Sequence, residues 1–330
     1  MGYWSGKRVL ITGGAGFIGG NLAVALAREG GHVTAITRGH DPRNTLALLG
    51  AADEVRQTPG DVRDSAFCAQ VLAEGRVTHV FHLAAQALVG VAARNPAGTF
   101  DSNVRGTWSL LDACRVIGGV ESIVVASSDK AYGIHPTLPY REEACLSPAY
   151  PYDVSKACAD LIARSYAVAY AQPVAVTRLA NVYGPGDVNF TRLVPDAIRC
   201  AYARRPLILR SDGTMQRDYL HVTDAVRAYL MLAERLTQDP DGVAGRAFNF
   251  GSGHPVAVLG LVRAVLGVFP GAPEPRLGSP APGEIPHQSL DSSRAERLLG
   301  WRPTRSLDEG LAAAAAWYSA LFTDHPELLE

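Results

Sequence analysis

The sequence predicts an α/β protein built on a parallel, doubly wound sheet, followed by a smaller α/β lobe. Three observations carry that expectation. Short apolar runs alternate with helix-type stretches through the first 180 residues, the pattern of a parallel sheet covered by helices on both faces. The first run, Arg8–Thr12, ends in Gly13-Gly14-Ala15-Gly16-Phe17-Ile18-Gly19, a glycine-rich turn between strand and helix. After Leu179 the alternation weakens and Pro and Gly become frequent, which marks a less regular lobe.

Each element follows from local chemistry. Arg8–Thr12 is apolar almost throughout, as a buried parallel strand must be. A helix over residues 21–29 buries Leu22, Ala25, Leu26 and Ala27, and Gly30-Gly31 stops it. His32–Thr37 alternates as a second strand. Further strands are expected over residues 55–59, 77–82, 122–127 and 174–179, separated by helices over 64–74, 99–117 and 152–170. Beyond them, 181–187 reads as a Gly/Pro loop, 193–204 as a helix and 206–209 as a short strand. Residues 222–236 form a strongly amphipathic helix, 269–286 should be mostly loop, and 291–299 and 307–322 are closing helices. The organisation predicted is a sheet domain over 1–180, with about 215–250 returning to it, and a second lobe from 181–214 and 251–330. A cleft between the two is the expected site.

Composition narrows the classes. Of 330 residues 47% are apolar and 19% charged, with a net charge of −1. A buried globular enzyme fits; a nucleic-acid or anionic-membrane partner does not. No apolar run reaches the ~18 residues that span a bilayer, and no secretory segment precedes Arg8. The five cysteines show no C-x-x-C pair, so neither a metal site nor a disulfide framework is indicated. A cytoplasmic location is expected.

Gly14, Gly16 and Gly19 satisfy G-x-G-x-x-G with a strand before and a helix after, the context in which the motif means dinucleotide binding. The glycines let backbone approach a pyrophosphate, and the helix start near Phe17 and Ile18 offers it free N–H groups. NAD sites usually carry Asp or Glu at the end of the second strand. Here that place reads Thr37-Arg38-Gly39. Arg38 suits a 2′-phosphate, an adenine face or solvent, so NAD and NADP both stay open. Asp61 and Val62, after the third strand, are placed for the adenine edge.

Residues 127–156 hold two of the chain's three lysines, Lys130 and Lys156, while 28 other basic positions are Arg. Lys, unlike Arg, shifts its pKa readily when desolvated, so proton chemistry is expected in this stretch. Tyr152 and Lys156, at i and i+4, share a helix face. An ammonium beside a phenol lowers the phenol's pKa from ~10 and prepares a base.

These motifs together resemble the extended short-chain dehydrogenase/reductase family, and within it the NAD(P)-dependent nucleotide-sugar epimerases and dehydratases. The resemblance rests on Thr12 to Gly19, Gly60-Asp61-Val62, His82-Leu83-Ala84-Ala85-Gln86, Asn103, Ser127-Ser128 and Tyr152-Asp153-Val154-Ser155-Lys156. It continues through Asn181 to Gly186, Arg217 to Val222 and Leu299 to Pro303, so it covers essentially the whole chain. It implies a Rossmann-like fold and a tightly bound, recycled NAD or NADP. Gly13, Gly16, Phe17, Ile18, Gly19, Arg38, Asp61, Val62, Leu83, Ala84, Ala85, Asn103, Tyr152 and Lys156 would hold that cofactor. It further implies a nucleotide-diphosphate sugar substrate and a homodimer formed through a four-helix bundle of the helices over 99–117 and 152–170. Ser128 and Tyr152 would act on the sugar hydroxyl, with Lys156 binding the nicotinamide ribose.

Epimerases and 4,6-dehydratases of this family both begin by oxidising C4. A dehydratase then needs two further proton carriers, for C5 and for the C6 hydroxyl. By resemblance to the CDP-glucose-type or GDP-mannose-type 4,6-dehydratases and to inverting UDP-N-acetylglucosamine dehydratases, Asp129 is the acid and Lys130 the base. A structural ion pair is the alternative for these two. Gln86, Ser128, Tyr132, Asn181, Arg192 and Arg217 are the implied substrate contacts, with Arg210 a further candidate. Arg217 leads for the diphosphate because a guanidinium binds phosphate in a bidentate manner. Relatives carry another Arg near 283–284, where His287 or Gln288 is the local substitute. His82 is read as structural. The expected activity is a nucleotide-sugar 4,6-dehydratase; a 4-epimerase and a catalytically silent cofactor-binding protein are the alternatives.

Overall fold

The computed structural model describes residues 2–39, 41, 43–279 and 285–329. Its strands are β1 (Arg8–Thr12), β2 (His32–Thr37), β3 (Arg56–Pro59), β4 (His79–His82), β5 (Ser122–Ala126) and β6 (Val174–Leu179), then β7 (Asn181–Tyr183), β8 (Gln216–Arg217), β9 (Tyr219–His221), β10 (Ala247–Phe250) and β11 (Val256–Ala257). Seven of them form one sheet in the order β10-β6-β5-β4-β1-β2-β3. Every pairing in it is parallel; Val9, for example, lies between Val33 and His79. The order reverses between β1 and β4. Loops leave the sheet in opposite directions there, and a crevice opens beyond the carboxyl ends of the strands.

Alternate side chains of each strand serve opposite faces, and both faces are packed. On one, Val9, Ile11, Val33 and Phe81 meet Leu22 and Leu26 of the Phe17–Arg28 helix and Tyr229 and Leu232 of the Val222–Gln238 helix. On the other, Leu10, Val80, Ile123 and Val125 meet Leu72, Leu110, Cys114 and Ala163 from the helices Ser65–Gly75, Gly106–Ile117 and Pro151–Tyr170. A third cluster gathers Val194, Ile198, Leu261, Val265, Leu311 and Phe322, joining the helices Leu193–Tyr202, Val258–Val268 and Leu307–Asp324.

The structure corrects several boundaries. The expected helix over 99–117 is broken: Pro96–Phe100 is α-helical, Asp101–Arg105 is a π turn, and a regular helix resumes at Gly106. Residues 181–183 are not loop but a strand paired with β9, whereas 206–209 make only an isolated bridge, Ile208 with Arg276. The strand β10 and the Val258–Val268 helix have no counterpart among the elements expected from sequence. Residues 280–284, which include Gly283 and Glu284, lie outside the described residues.

Candidate active site

The crevice is a cavity of about 1490 Å³. Its cofactor side is built from the segments at the carboxyl ends of the strands. Gly13, Gly16, Phe17, Ile18 and Gly19 come after β1, and Arg38 after β2. Asp61 and Val62 come after β3, and Leu83, Ala84 and Ala85 after β4; all of these line the cavity. The glycines are demanded by contact. A Cβ on Gly13, at φ +72°, would lie 2.8 Å from the Ala84 nitrogen, and one on Gly19 would lie 2.3 Å from the Gly13 oxygen. No side chain caps the Phe17–Arg28 helix at Gly16, so its first N–H groups and positive dipole end face the crevice, as an anionic pyrophosphate requires. The donor set thus fits a dinucleotide. Arg63 donates to both Asp61 carboxylate oxygens and also pairs with Asp101, holding the Asp61 carboxyl below its ordinary range. Among the described residues no carboxylate pairs with Arg38.

Beyond β5 the chain turns through Ser128 into a short 3-10 helix, Asp129–Tyr132, capped by the Ser128 hydroxyl, which accepts from Lys130 N at 3.2 Å. That hydroxyl donates to Asp129 Oδ1 at 3.0 Å. Asp129 is 3% exposed, and its other oxygen, Oδ2, has no partner among the described residues. Burial drives the Asp129 carboxyl above its ordinary range, an effect that neighbouring Lys130 opposes. Lys130 reaches across to the Gln288 side chain at 3.5 Å.

Tyr152 and Lys156 sit in the first turns of the Pro151–Tyr170 helix and both line the cavity. The expected lowering of the phenol is not what this geometry produces. Burial, then the charge of Asp129, push Tyr152 up to about 12. The Lys156 ammonium instead donates to the Ala126 carbonyl at 2.8 Å, and burial pulls it down to about 8. Asp153, adjacent to Tyr152, is a residue that sequence reasoning missed. It is buried beside Asp129 and Lys130; burial raises its carboxyl to about 6 against the pull of Lys130.

On the opposite wall Asn181, Arg192, Arg210 and Arg217 line the cavity. Arg192 donates to Asp187 at 2.9 Å. Arg217 donates to the Gln216 and Pro286 carbonyls and, among the described residues, pairs with no carboxylate, which leaves its charge available.

Three residues read as contacts do not line the cavity. Tyr132 is fully buried; its hydroxyl donates to Asn249 at 2.7 Å and accepts from Arg178 at 2.8 Å. Its aromatic ring faces the core because its polar end is satisfied there. Asn103 is spent on the protein. It accepts from Gln86 N at 2.6 Å and donates to Gln86 O and Ser155 Oγ at 3.1 and 2.9 Å, so it pins the loop after β4 to the Tyr152 helix. Gln86 folds back to accept from Leu88 N at 2.7 Å. His82 has both ring nitrogens engaged by Thr12 and Thr107 and is held by burial near 3, a structural residue. His287 is exposed, and Gln288 meets Lys130 instead of the cavity.

A profile described as the NAD dependent epimerase/dehydratase family matches residues 9–251. The chain belongs to the NAD dependent epimerase/dehydratase family. Members similar to it span both activities. The CDP-glucose 4,6-dehydratase of Salmonella typhimurium is 30% identical, over 96% of this chain and 92% of the relative. The UDP-glucose 4-epimerase of Mycolicibacterium smegmatis is also 30% identical, over 94% and 98%. Among solved structures of the family, the dTDP-glucose 4,6-dehydratase of Streptomyces venezuelae with NAD and TYD bound superposes with a TM-score of 0.85. It is 30% identical and covers 98% of this chain and 100% of that one. The family membership, the parallel α/β fold and the nicotinamide dinucleotide read from sequence are therefore borne out.

Proposed function

We propose that this protein is a nucleotide-sugar 4,6-dehydratase. The observation that carries the reading is the placement of buried Asp129 and half-buried Lys130 at the carboxyl end of β5, beside Ser128 and lining the same cavity as Tyr152. The glycine loop, Arg38, Asp61, Leu83 and Lys156 would hold the nicotinamide dinucleotide, which accepts hydride from C4 of the sugar and later returns it to C6. Arg217, with Asn181 and Arg192, would bind the diphosphate.

The chain's own groups then divide the proton work. Tyr152 would take the C4 hydroxyl proton; its phenol, held up at about 12 here, must be lowered for this by the positive charge that the bound cofactor would bring beside it. Lys130 removes the C5 proton that the neighbouring C4 ketone acidifies. Asp129, whose carboxyl burial moves above its ordinary range, gives its proton to the C6 hydroxyl, which departs as water. A proton returned to C5 completes the sequence. An epimerase needs neither Asp129 nor Lys130 for proton transfer; the relatives of that activity support it as the second reading. The dinucleotide-binding role falls to residues 1–180 with about 215–250, and the sugar nucleotide to the remainder. All five cysteines are free, which supports a reducing, cytoplasmic setting; no described helix is long and apolar enough to cross a membrane.

Mass spectrometry of the products from a panel of nucleotide sugars tests the reading. A product lighter by one water is expected. A product of unchanged mass would replace it with the epimerase, and no turnover would leave cofactor binding alone.

A further inference from the structure

Gln288 is an unusual residue to find where it is. It is 0% exposed and lies 158 positions from Lys130 in sequence, yet its Oε1 accepts from the Lys130 ammonium. The orientation of the carboxamide follows from chemistry: an ammonium carries three donors and no acceptor, so the oxygen must face it. The nitrogen is thereby turned away, and Gln288 Nε2 is buried with no partner among the described residues. A buried donor left unsatisfied is unfavourable, and a leucine would fill this place without that penalty. Among the described residues the one hydrogen bond the amide makes is with Lys130.

The backbone that carries Gln288 is held on both sides. Gln288 N donates to Gln216 O at 3.1 Å and Gln216 N to Pro286 O at 3.0 Å. Tyr140 N donates to Ser289 O at 2.8 Å and Asp291 N to Tyr140 O at 2.9 Å. Residues 285–291 thus form a strap between the Tyr140 loop and β8. Two residues before Gln288, the Pro286 carbonyl accepts from Arg217 at 3.1 Å. One short segment therefore touches both the arginine proposed for the diphosphate and the lysine proposed for elimination.

We propose that Gln288 is the positioning residue for Lys130, holding its ammonium at the elimination end of the crevice through a neutral oxygen. The proposal rests on the dehydratase reading. The carboxyls of Asp129 and Asp153 already lie beside Lys130, and Gln288 adds an acceptor without charge. A carboxylate in its place would stabilise the charged form and raise the pKa, whereas an apolar side chain would leave the long lysine free to leave its rotamer.

The test is steady-state and single-turnover kinetics of the holoenzyme and of Gln288→Leu and Gln288→Glu, with Lys130→Met as reference. In Gln288→Leu, dehydration kcat should fall about tenfold or more with KM within about twofold. Oxidation at C4, read from the absorbance of reduced nicotinamide, should continue, so the reduced form accumulates. Gln288→Glu should recover turnover, with the limb of its pH profile that reports the base moved to higher pH. Unchanged dehydration in Gln288→Leu, or oxidation and dehydration falling together, would overturn the proposal. Should Gln288→Leu not fold, the profile of Gln288→Glu decides alone, and an unmoved limb overturns it. A wild-type product of unchanged mass removes the dehydratase reading first, and the proposal with it; a product lighter by water leaves Gln288 to be judged on its own variants.

Discussion

Ser128, Asp129 and Lys130 follow one another in sequence and still differ in what their side chains do: Ser128 donates to Asp129, Asp129 keeps one oxygen without a partner among the described residues, and Lys130 reaches Gln288. Substitution separates their work. Tyr152→Phe should lose oxidation at C4 by about 10²–10⁴-fold, because no base remains for the hydroxyl proton. Lys130→Met should keep that oxidation and lose elimination by a similar factor, so reduced nicotinamide should accumulate in it and not in Tyr152→Phe. Rapid-mixing absorbance distinguishes the two; equal loss of both steps in Lys130→Met would reduce Lys130 to a structural part. That Tyr152 and Lys156 lie together in the cavity was legible in sequence, because an i, i+4 pair shares a helix face wherever the helix goes. Tyr132 and Asn103 show the limit of such reading. A motif names residue types, but which way each side chain turns is decided by partners such as Arg178, Asn249 and Ser155 that lie 46 to 117 positions away.

At the scale of elements, the turn that carries Asp129 and Lys130 is fixed from beneath. Asp160, on the Pro151–Tyr170 helix, receives two hydrogen bonds from Arg178 of β6, at 2.7 and 2.9 Å, with both side chains at most 1% exposed. The same guanidinium lies 4.8 Å from the Tyr132 ring centre and donates to its hydroxyl, so it ties helix, strand and catalytic turn together. Arg178→Leu leaves the buried Asp160 charge with only the longer Arg164 pair, at 3.8 Å, and should cost about 3 kcal/mol of stability, measured by denaturant unfolding. The double variant Arg178→Leu/Asp160→Leu should recover part of it; no recovery would mean that the pair is not coupled. Elements with strong periodicity or flanking glycines were readable, β1 and the helix after it above all. The strand Asn181–Tyr183 was not, because three residues beside a Gly-Pro-Gly run have no period of their own and become strand only when β9 lies alongside. The π turn at Asp101–Arg105 was hidden for a related reason: the composition is helical, and only the bonds that Asn103 makes to Gln86 and Ser155 give the irregular turn a purpose.

At the scale of the molecule, one face of the sheet domain is unfinished in a single chain. Along the Pro151–Tyr170 helix the side chains at 154, 158, 161, 165 and 168 recur at spacings of four and three, the seam of a helical bundle. None of them is buried: Val154 and Cys158 are half-buried, Leu161 is 55% exposed and Val168 83%. The adjoining Gly106–Ile117 helix adds Trp108, 44% exposed, to the same side of the sheet as the core of Leu110 and Ala163. Four of these five positions are apolar and the fifth is Ser165; exposed apolar side chains on neighbouring helices are the kind of patch that an interface would cover, and two helices meeting their copies make four. We therefore expect a homodimer, and its interface would brace the helix that carries Tyr152 and Lys156. Light scattering should give twice the chain mass of 35.1 kDa. Leu161→Arg places a charge in the middle of the seam, where burial without a partner is unfavourable, and should yield a species of single mass. It should also lower activity, because a helix that is braced from outside holds its first turn, and hence Tyr152, more firmly than a free one. A wild-type monomer, or a Leu161→Arg dimer of undiminished mass, would place the interface elsewhere.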